Sequence, residues 1–117
     1  MRVSNVPARH KRKKQVMKSV KGFYGGRKKM YRRALENTKR AERQAYIGRK
    51  LKKREFRQLW ITRINIATRE LGLSYSRFMA GLAKADIRLD RKQLSEMAIH
   101  QPAAFAQVVE QAKAALG

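Results

Sequence analysis

The sequence contains no cysteine, only two prolines and only eight acidic residues. Without cysteine the chain can form neither a disulfide framework nor a thiolate metal site, which suits a reducing compartment. No run of about 18 apolar residues occurs that is long enough to span a membrane. The first residues lack the apolar core of a secretory signal, and they hold little of the Ser and Leu typical of a transit peptide. We therefore expect a cytoplasmic protein without thiol chemistry.

Basic residues dominate the chain and concentrate in one half of it. Lys and Arg number 30 and produce a formal net charge of +22. Residues 1–58 hold 22 of them with three acids, whereas residues 59–117 hold eight with five acids. A charge imbalance of this size indicates a polyanionic partner, because Lys and Arg neutralise phosphates. We therefore expect the first half to bind nucleic acid.

Residues 8–21 are rich in Lys, Arg and Gln and predict a short basic helix. Pro7 can open this helix, and Val6 should be extended because a proline ring disfavours the helical region for the residue before it. The thin apolar strip of the helix consists of Val16, Met17 and Val20. This helix should therefore be nearly coreless.

Glycines at positions 22, 25 and 26 predict an elbow after the short helix. A long helix of about 45 residues should follow from Arg27 to about Leu71, with Gly72 as its left-handed cap. Before Arg54 the apolar seam of the long helix consists of Tyr31, Ala34, Thr38, Ala41, Ala45 and Gly48. The residues of this seam after Tyr31 are all small. They either let a partner backbone approach closely or simply form a solvated face of good helix formers.

From residue 56 onward the seam becomes bulky and predicts a core face. It consists of Phe56, Trp60, Ile64, Ala67 and Leu71, with Leu59 and Ile66 beside them. A stacking platform is conceivable for Trp60, but its place on this stripe favours a core position.

Three short helices should complete a C-terminal bundle, at Tyr75 to about Lys84, at Arg91–His100 and from Pro102 to about Leu116. Ser74 and Asp90 are suited to N-caps, and proline is suited to a first helical turn. The residues expected to point inward are Phe78, Met79, Leu82, Leu94, Met97, Ile99, Phe105, Val108, Val109 and Ala112.

The predicted fold class is all-α, with a long basic N-terminal extension joined to a small C-terminal helical bundle. The extension comprises residues 1–58 and contains two helices with a glycine elbow, and the globular domain comprises residues 59–117. Because the extension cannot bury a core and its like charges repel, we expect it to be disordered or partly helical when free.

No constellation of residues supports catalysis. His10 and His100 lie in different modules, without a cysteine or an acidic cluster beside them. Asp86 and Asp90 are explained as a turn residue and a helix cap. The glycines of GFYGG do not follow a strand, as a nucleotide-binding loop requires. We therefore expect a protein that is not an enzyme, with no catalytic residue, no metal, no cofactor and no small-molecule substrate.

Two long motifs, FRQLWITRIN at 56–65 and GLSYSRFMAGL at 72–82, resemble the bacterial and organellar L-twenty family of large-subunit ribosomal proteins. The spacing of further pieces agrees, namely ARHK at 8–11, KGFYGGR at 21–27, DRKQLSEMA at 90–98 and PAAF at 102–105. The resemblance implies a helical extension that penetrates large-subunit ribosomal RNA, a role in early subunit assembly, and neighbouring large-subunit ribosomal proteins as partners. Some members also repress their own operon by binding its messenger RNA, and the resemblance leaves that role open.

Charge and resemblance together predict a set of RNA-binding residues. The resemblance implies contact for the ARHK bases, for the KGFYGGR loop and for Arg54 and Arg57, whereas the tyrosines offer rings for stacking. The predicted RNA-binding residues are Arg9, His10, Lys11, Arg12, Lys13, Lys14, Lys18, Lys21, Gly22, Tyr24, Gly25, Gly26, Arg27, Lys28, Lys29, Tyr31, Arg32, Arg33, Arg49, Lys50, Lys53, Arg54 and Arg57.

Two rival classes of protein share this charge. A DNA-compacting protein of the nucleoid type would bind duplex DNA without preference. A membrane-active cationic helix would need a strong apolar face, which residues 8–54 do not have. We therefore expect no membrane partner and keep DNA compaction as the alternative to RNA binding.

Overall fold

The computed structural model describes residues 5–117, and all regular elements within that range are helical. The helices are α1 (Val6–Ser19), α2 (Tyr31–Glu70), α3 (Tyr75–Lys84), α4 (Arg91–His100) and α5 (Pro102–Leu116), with a 3₁₀ turn at Gly25–Arg27. By their contacts the residues form an N-terminal unit that ends at Lys50 and a C-terminal unit, Leu51–Gly117. The predicted all-α class is confirmed, whereas the first four residues of the predicted extension lie outside the described residues.

Helix α1 begins one residue before the predicted start. The prediction that Val6 is extended is wrong, because the amide of Arg9 donates to the carbonyl of Asn5 at 3.0 Å and includes Val6 in the first turn. Pro7 lies in that turn, where its missing N–H removes no intrahelical hydrogen bond. The helix ends at Ser19, two residues earlier than predicted.

The predicted glycine elbow separates α1 from α2. Gly22 and Gly25 have φ of +86° and +58°, values that non-glycine residues rarely adopt. The amides of Lys29 and Met30 then donate to the carbonyl of Gly26 at 3.2 and 3.0 Å. Because these hydrogen bonds fold the residues from Gly26 to Met30 into a turn, α2 begins at Tyr31 and not at Arg27 as predicted.

A small contact joins the end of α1 to the start of α2 inside the N-terminal unit. The Ser19 Oγ lies 3.2 Å from the Thr38 Oγ1, and the neighbouring Val20 is completely buried. Ala34, one turn before Thr38 on the same face of α2, is also completely buried. The predicted seam therefore serves as a contact surface in its first part, but from residue 39 onward it is exposed.

The C-terminal end of α2 is closed by the predicted left-handed glycine. Gly72 has φ of +80°, and its amide donates to the carbonyl of Arg69 at 2.9 Å. The amide of Leu73 reaches back to the carbonyl of Thr68, also at 2.9 Å. These two hydrogen bonds form a Schellman motif and satisfy carbonyls that the last turn leaves without a helical partner.

The C-terminal unit contains a hydrophobic core shared by α2, α3, α4 and α5. Its buried members are Ile64, Leu73, Phe78, Leu82, Leu94, Phe105, Val109 and Ala112. The rings of Phe78 and Phe105 pack with their centres 5.7 Å apart. Helices α3 and α5 approach so closely at Gly81 that an added Cβ would lie 2.9 Å from the carbonyl carbon of Ala112. The core therefore depends on the absence of a side chain at this position.

The short helices begin where their capping residues predict. Asp90 and Gln93 form a reciprocal capping box at the start of α4, in which the Gln93 amide donates to the Asp90 Oδ1 at 2.8 Å. Ser74 occupies the N-cap position of α3, but its side chain makes no capping hydrogen bond. Asp86 has φ of +52° in the turn after α3, as expected of a turn residue.

The prediction that the bulky apolar seam of α2 forms a core face is wrong for the first half of the seam. Phe56, Leu59 and Ile66 are exposed, and Trp60 is half-buried and lies outside the core. Ile66 is two residues from buried Ile64 and therefore points to the opposite side of the helix. The core begins only at Ile64, so the turn that contains Phe56 stays uncovered within the described chain.

Two further predictions in the bundle have different outcomes. Ile99, expected to point inward, is exposed at the end of α4, while Ala98 beside it packs against the core. Phe78 is buried, as predicted, and its neighbour Arg77 is exposed.

Candidate nucleic-acid interface

The predicted RNA-binding residues form a solvated and electrostatically unneutralised surface. Among them only Tyr31 is half-buried, and all the others are exposed. In the part of the chain from residue 5 to residue 58, the one ion pair joins Arg40 to Glu36 at 2.8 Å. None of the predicted cations is engaged by a carboxylate within the described residues. Their positive charge is therefore available to an outside anion.

The structure brings Tyr31 to the basic residues of α1. The Nζ of Lys13 lies 5.9 Å from the centre of the Tyr31 ring. Both residues line an open groove of about 940 Å³, whose other lining residues are Asn5, Val6, Ala8, Arg9, His10 and Arg12. A ring beside several cations is the combination that binds a base together with its phosphates. The sequence separation of Tyr31 from α1 concealed this proximity.

The elbow presents a ring and backbone groups to solvent. Tyr24 is 90% exposed and precedes the 3₁₀ turn, whereas Phe23 is half-buried. A Cβ at Gly22 or Gly25 would meet no atom within 4 Å, so these glycines are required by their positive φ and not by crowding. The loop can therefore offer its backbone and the Tyr24 ring to a ligand without rearrangement of neighbouring side chains.

The middle of α2 is exposed on every side. Each residue from 39 to 59 is solvent-accessible, and successive residues are about 100° apart around the helix. The predicted Arg49, Lys50, Lys53, Arg54 and Arg57 therefore point in several directions and are not gathered on one face. This stretch can meet phosphates on more than one side.

Sequence reasoning missed one basic residue with a specific environment. Lys52 was not predicted to bind RNA, yet its Nζ lies 6.0 Å from the centre of the exposed Phe56 ring. The two residues are four positions apart, which places them on one helix face, and this spacing is the signal that identifies the pair.

Other classes of site are not formed by the described residues. In residues 5–117 no group of three or more His, Cys, Asp or Glu side chains is positioned to hold a metal ion. His100 pairs at 3.3 Å with Glu96 on the surface of α4. The described helices include none that is both long enough and apolar enough to cross a membrane.

Comparison with known proteins supports the resemblance seen in the motifs. The family profile of ribosomal protein L20 matches residues 2–108. The large ribosomal subunit protein bL20 of Clostridium botulinum is 54% identical over 112 residues, which cover 96% of this chain and 94% of that protein. The protein of the same description from Clostridium perfringens has the same identity and the same coverage. The chain therefore belongs to the ribosomal protein L20 family, a family of large ribosomal subunit proteins and not of enzymes.

Proposed function

We propose that this chain is a structural constituent of the bacterial large ribosomal subunit in the cytoplasm and binds large-subunit ribosomal RNA directly. The observation that carries the proposal is the set of exposed cations in residues 9–57, of which only Arg40 is paired with a carboxylate of the described chain. An uncompensated charge of this density has a polyanion as its natural partner. Residues 1–58 form the RNA-penetrating extension, and residues 59–117 form the globular domain that docks on the RNA.

The cations act by neutralising phosphates where RNA helices approach one another. Because α2 is exposed on every side from residue 39 to residue 59, it can contact phosphates of more than one RNA helix. If about ten phosphates are neutralised, the logarithm of the affinity falls with a slope near −9 against the logarithm of salt concentration. A-form RNA is recognised through shape and backbone, which suits Lys and Arg. Neutralisation between helices is also the means by which the protein helps early subunit assembly.

Folding of the extension is coupled to this binding. Val20 and Ala34 are the completely buried apolar residues of the described N-terminal unit, which is too little to offset backbone ordering at about 1–2 kcal/mol per residue. Phosphate contacts supply the remainder when the RNA is present. Free protein therefore has an extension that is disordered or partly helical.

Neighbouring large-subunit ribosomal proteins are the further partners in this proposal. Binding to its own messenger RNA, the regulatory role that the resemblance leaves open, would use the same chemistry of cations and phosphates. Crosslinking within isolated large subunits identifies both the RNA helices and the proteins in contact.

The deciding experiment compares fragments of large-subunit RNA with random duplex DNA at about 150 mM salt. We expect the RNA to bind more tightly, because recognition of folded RNA uses shape as well as charge. Equal affinity for the two polyanions would overturn the ribosomal RNA proposal in favour of a DNA-compacting protein.

A further inference from the structure

Phe56 and Trp60 form an aromatic pair on the surface of α2. Their ring centres are 6.2 Å apart, with planes inclined by 48°. Phe56 is 45% exposed, Trp60 is half-buried, and neither belongs to the core of the C-terminal unit. Large rings left in water forgo the free energy that burial would provide. Because the bundle does not use this pair as core, its rings are available to an outside ligand.

Cations surround the pair on the same side of the helix. At about 100° per residue, Lys53, Phe56, Trp60 and Arg63 lie within roughly 80° of one another around α2. Lys53 is exposed and Arg63 is half-exposed, and neither makes an ion pair within the described residues. Glu55 is exposed and precedes Phe56 by one residue, so it points to another side of the helix. The rings therefore lie in a strip of positive charge.

We propose that an unpaired base of ribosomal RNA stacks on the Phe56 ring beside Trp60, while Lys52, Lys53 and Arg63 contact the phosphates on either side of it. Aromatic rings bordered by cations are the means by which proteins bind single-stranded nucleotides. A protein surface apolar enough to cover the rings would leave these cations buried and unpaired, which is costly. The inference rests on the proposed RNA-binding function and adds to it a site for one unpaired base.

The geometry points to a base on the face of the Phe56 ring that is turned away from Trp60. A base inserted between two rings needs two van der Waals spacings, about 7 Å, and parallel planes. The centre distance of 6.2 Å and the inclination of 48° do not provide that space. The Lys52 Nζ, 6.0 Å from the Phe56 ring centre, is at the outer limit of a cation–π contact. It can therefore turn to a phosphate with little loss.

Trp60 is the single tryptophan of the chain, so its fluorescence reports on this site. We would titrate the full chain with a large-subunit RNA transcript at about 150 mM salt. Stacking predicts a change in Trp60 emission on binding. Phe56→Leu should weaken affinity by about 5- to 150-fold, the range measured for loss of one stacked base, whereas Phe56→Tyr should bind as the unmodified chain does.

A matched control removes exposed apolar surface elsewhere on the same helix. Ile66 is exposed and points away from the core, and Ile66→Ala should leave RNA affinity and Trp60 emission unchanged. Thermal unfolding of each variant checks that the bundle is intact. Because Phe56 lies outside the core, Phe56→Leu should melt close to the unmodified chain.

Different results overturn different parts of the proposal. If Phe56→Leu binds the transcript as tightly as the unmodified chain and Trp60 emission does not respond, the stacking site is wrong and the RNA-binding function stands. If Phe56→Leu binds protein-free RNA normally but no longer joins particles that contain other ribosomal proteins, the rings dock a protein and the stacking site is again wrong. If the unmodified chain does not distinguish the transcript from duplex DNA, the function on which the inference rests is itself overturned.

Discussion

The N-terminal unit and the C-terminal unit are built from the same kind of element but are stabilised by different means. Eight buried residues form the core of the C-terminal unit, whereas Val20 and Ala34 are the fully buried apolar residues described in the N-terminal unit. Charge follows the opposite trend, since residues 1–50 hold 18 basic residues with two acids, whereas residues 51–117 hold 12 with six. Helical content alone therefore does not indicate independent stability, because a helix in water depends on what covers its apolar face.

Hydrogen exchange on the free protein provides the largest contrast between the two units. Amides of the C-terminal unit that open only with global unfolding should be protected by about a thousandfold or more, because even a marginal domain has several kcal/mol of stability. Residues 10–50 should exchange rapidly, with slow exchange beginning only after about residue 59. Slow exchange across residues 10–50 in the isolated protein would contradict coupled folding and binding.

Glycine-to-alanine substitution should have opposite effects in the two units. In the C-terminal unit Gly81→Ala places a methyl group against the Ala112 backbone and should cost about 3 kcal/mol or more, the upper end for overpacking. In the N-terminal unit Gly48 has no atom within 4 Å of an added Cβ, so Gly48→Ala should favour the helix by about 1 kcal/mol. Circular dichroism measures both, through the melting temperature of the first and the helical content of the second. Equal melting temperatures for Gly81→Ala and the unmodified chain would refute the close approach of α3 and α5.

Charge removal should affect RNA binding according to the unit in which it is made. Replacing Arg12 and Lys14 by Gln should reduce the salt slope by about 2, since each phosphate contact contributes about 0.9. As a control, Arg88→Gln and Lys113→Gln remove cations that carboxylates already engage in the C-terminal unit. This second pair of substitutions should leave the salt slope nearly unchanged. A similar reduction of the slope in both variants would mean that the charge acts without regard to its position in the chain.

Removal of a helix cap should have a smaller effect on the stability of the C-terminal unit. Asp90→Ala removes the hydrogen bond to the Gln93 amide and should lower the free energy of unfolding by about 1 kcal/mol. Ser74→Ala is the matched control, because the Ser74 side chain makes no capping bond in α3. Chemical denaturation of the two variants should separate them, and equal losses would show that the capping box does not stabilise α4.

Local signals predicted the bundle helices well. The bounds of α3, α4 and α5 agree with prediction, because caps and prolines act within one turn of the residue that carries them. The predicted starts of α1 and α2 are less accurate. The Asn5 carbonyl accepts a first helical hydrogen bond and the Gly26 carbonyl accepts turn hydrogen bonds, and composition reveals neither.

The candidate interface was predictable in its charge but not in its contacts. Exposure of the cations follows from their composition, because charged groups in such numbers cannot be buried. The approach of Lys13 to Tyr31 and of Ser19 to Thr38 depends on the elbow between the helices. The same holds for Trp60. Its place on the apolar stripe of α2 predicted a core position, but it lies outside the bundle core and is partly exposed.

The helices, the elbow glycines, the caps and the concentration of positive charge can be read from the sequence, because all of these depend on residue type and on neighbours within about one turn. Which turns of α2 are covered was set by the tertiary structure. It buried Ile64, left Phe56 and Trp60 at the surface, and brought the end of α1 to the start of α2. Burial depends on residues distant in the chain, and the short bundle helices are sufficient to enclose only the last turns of α2.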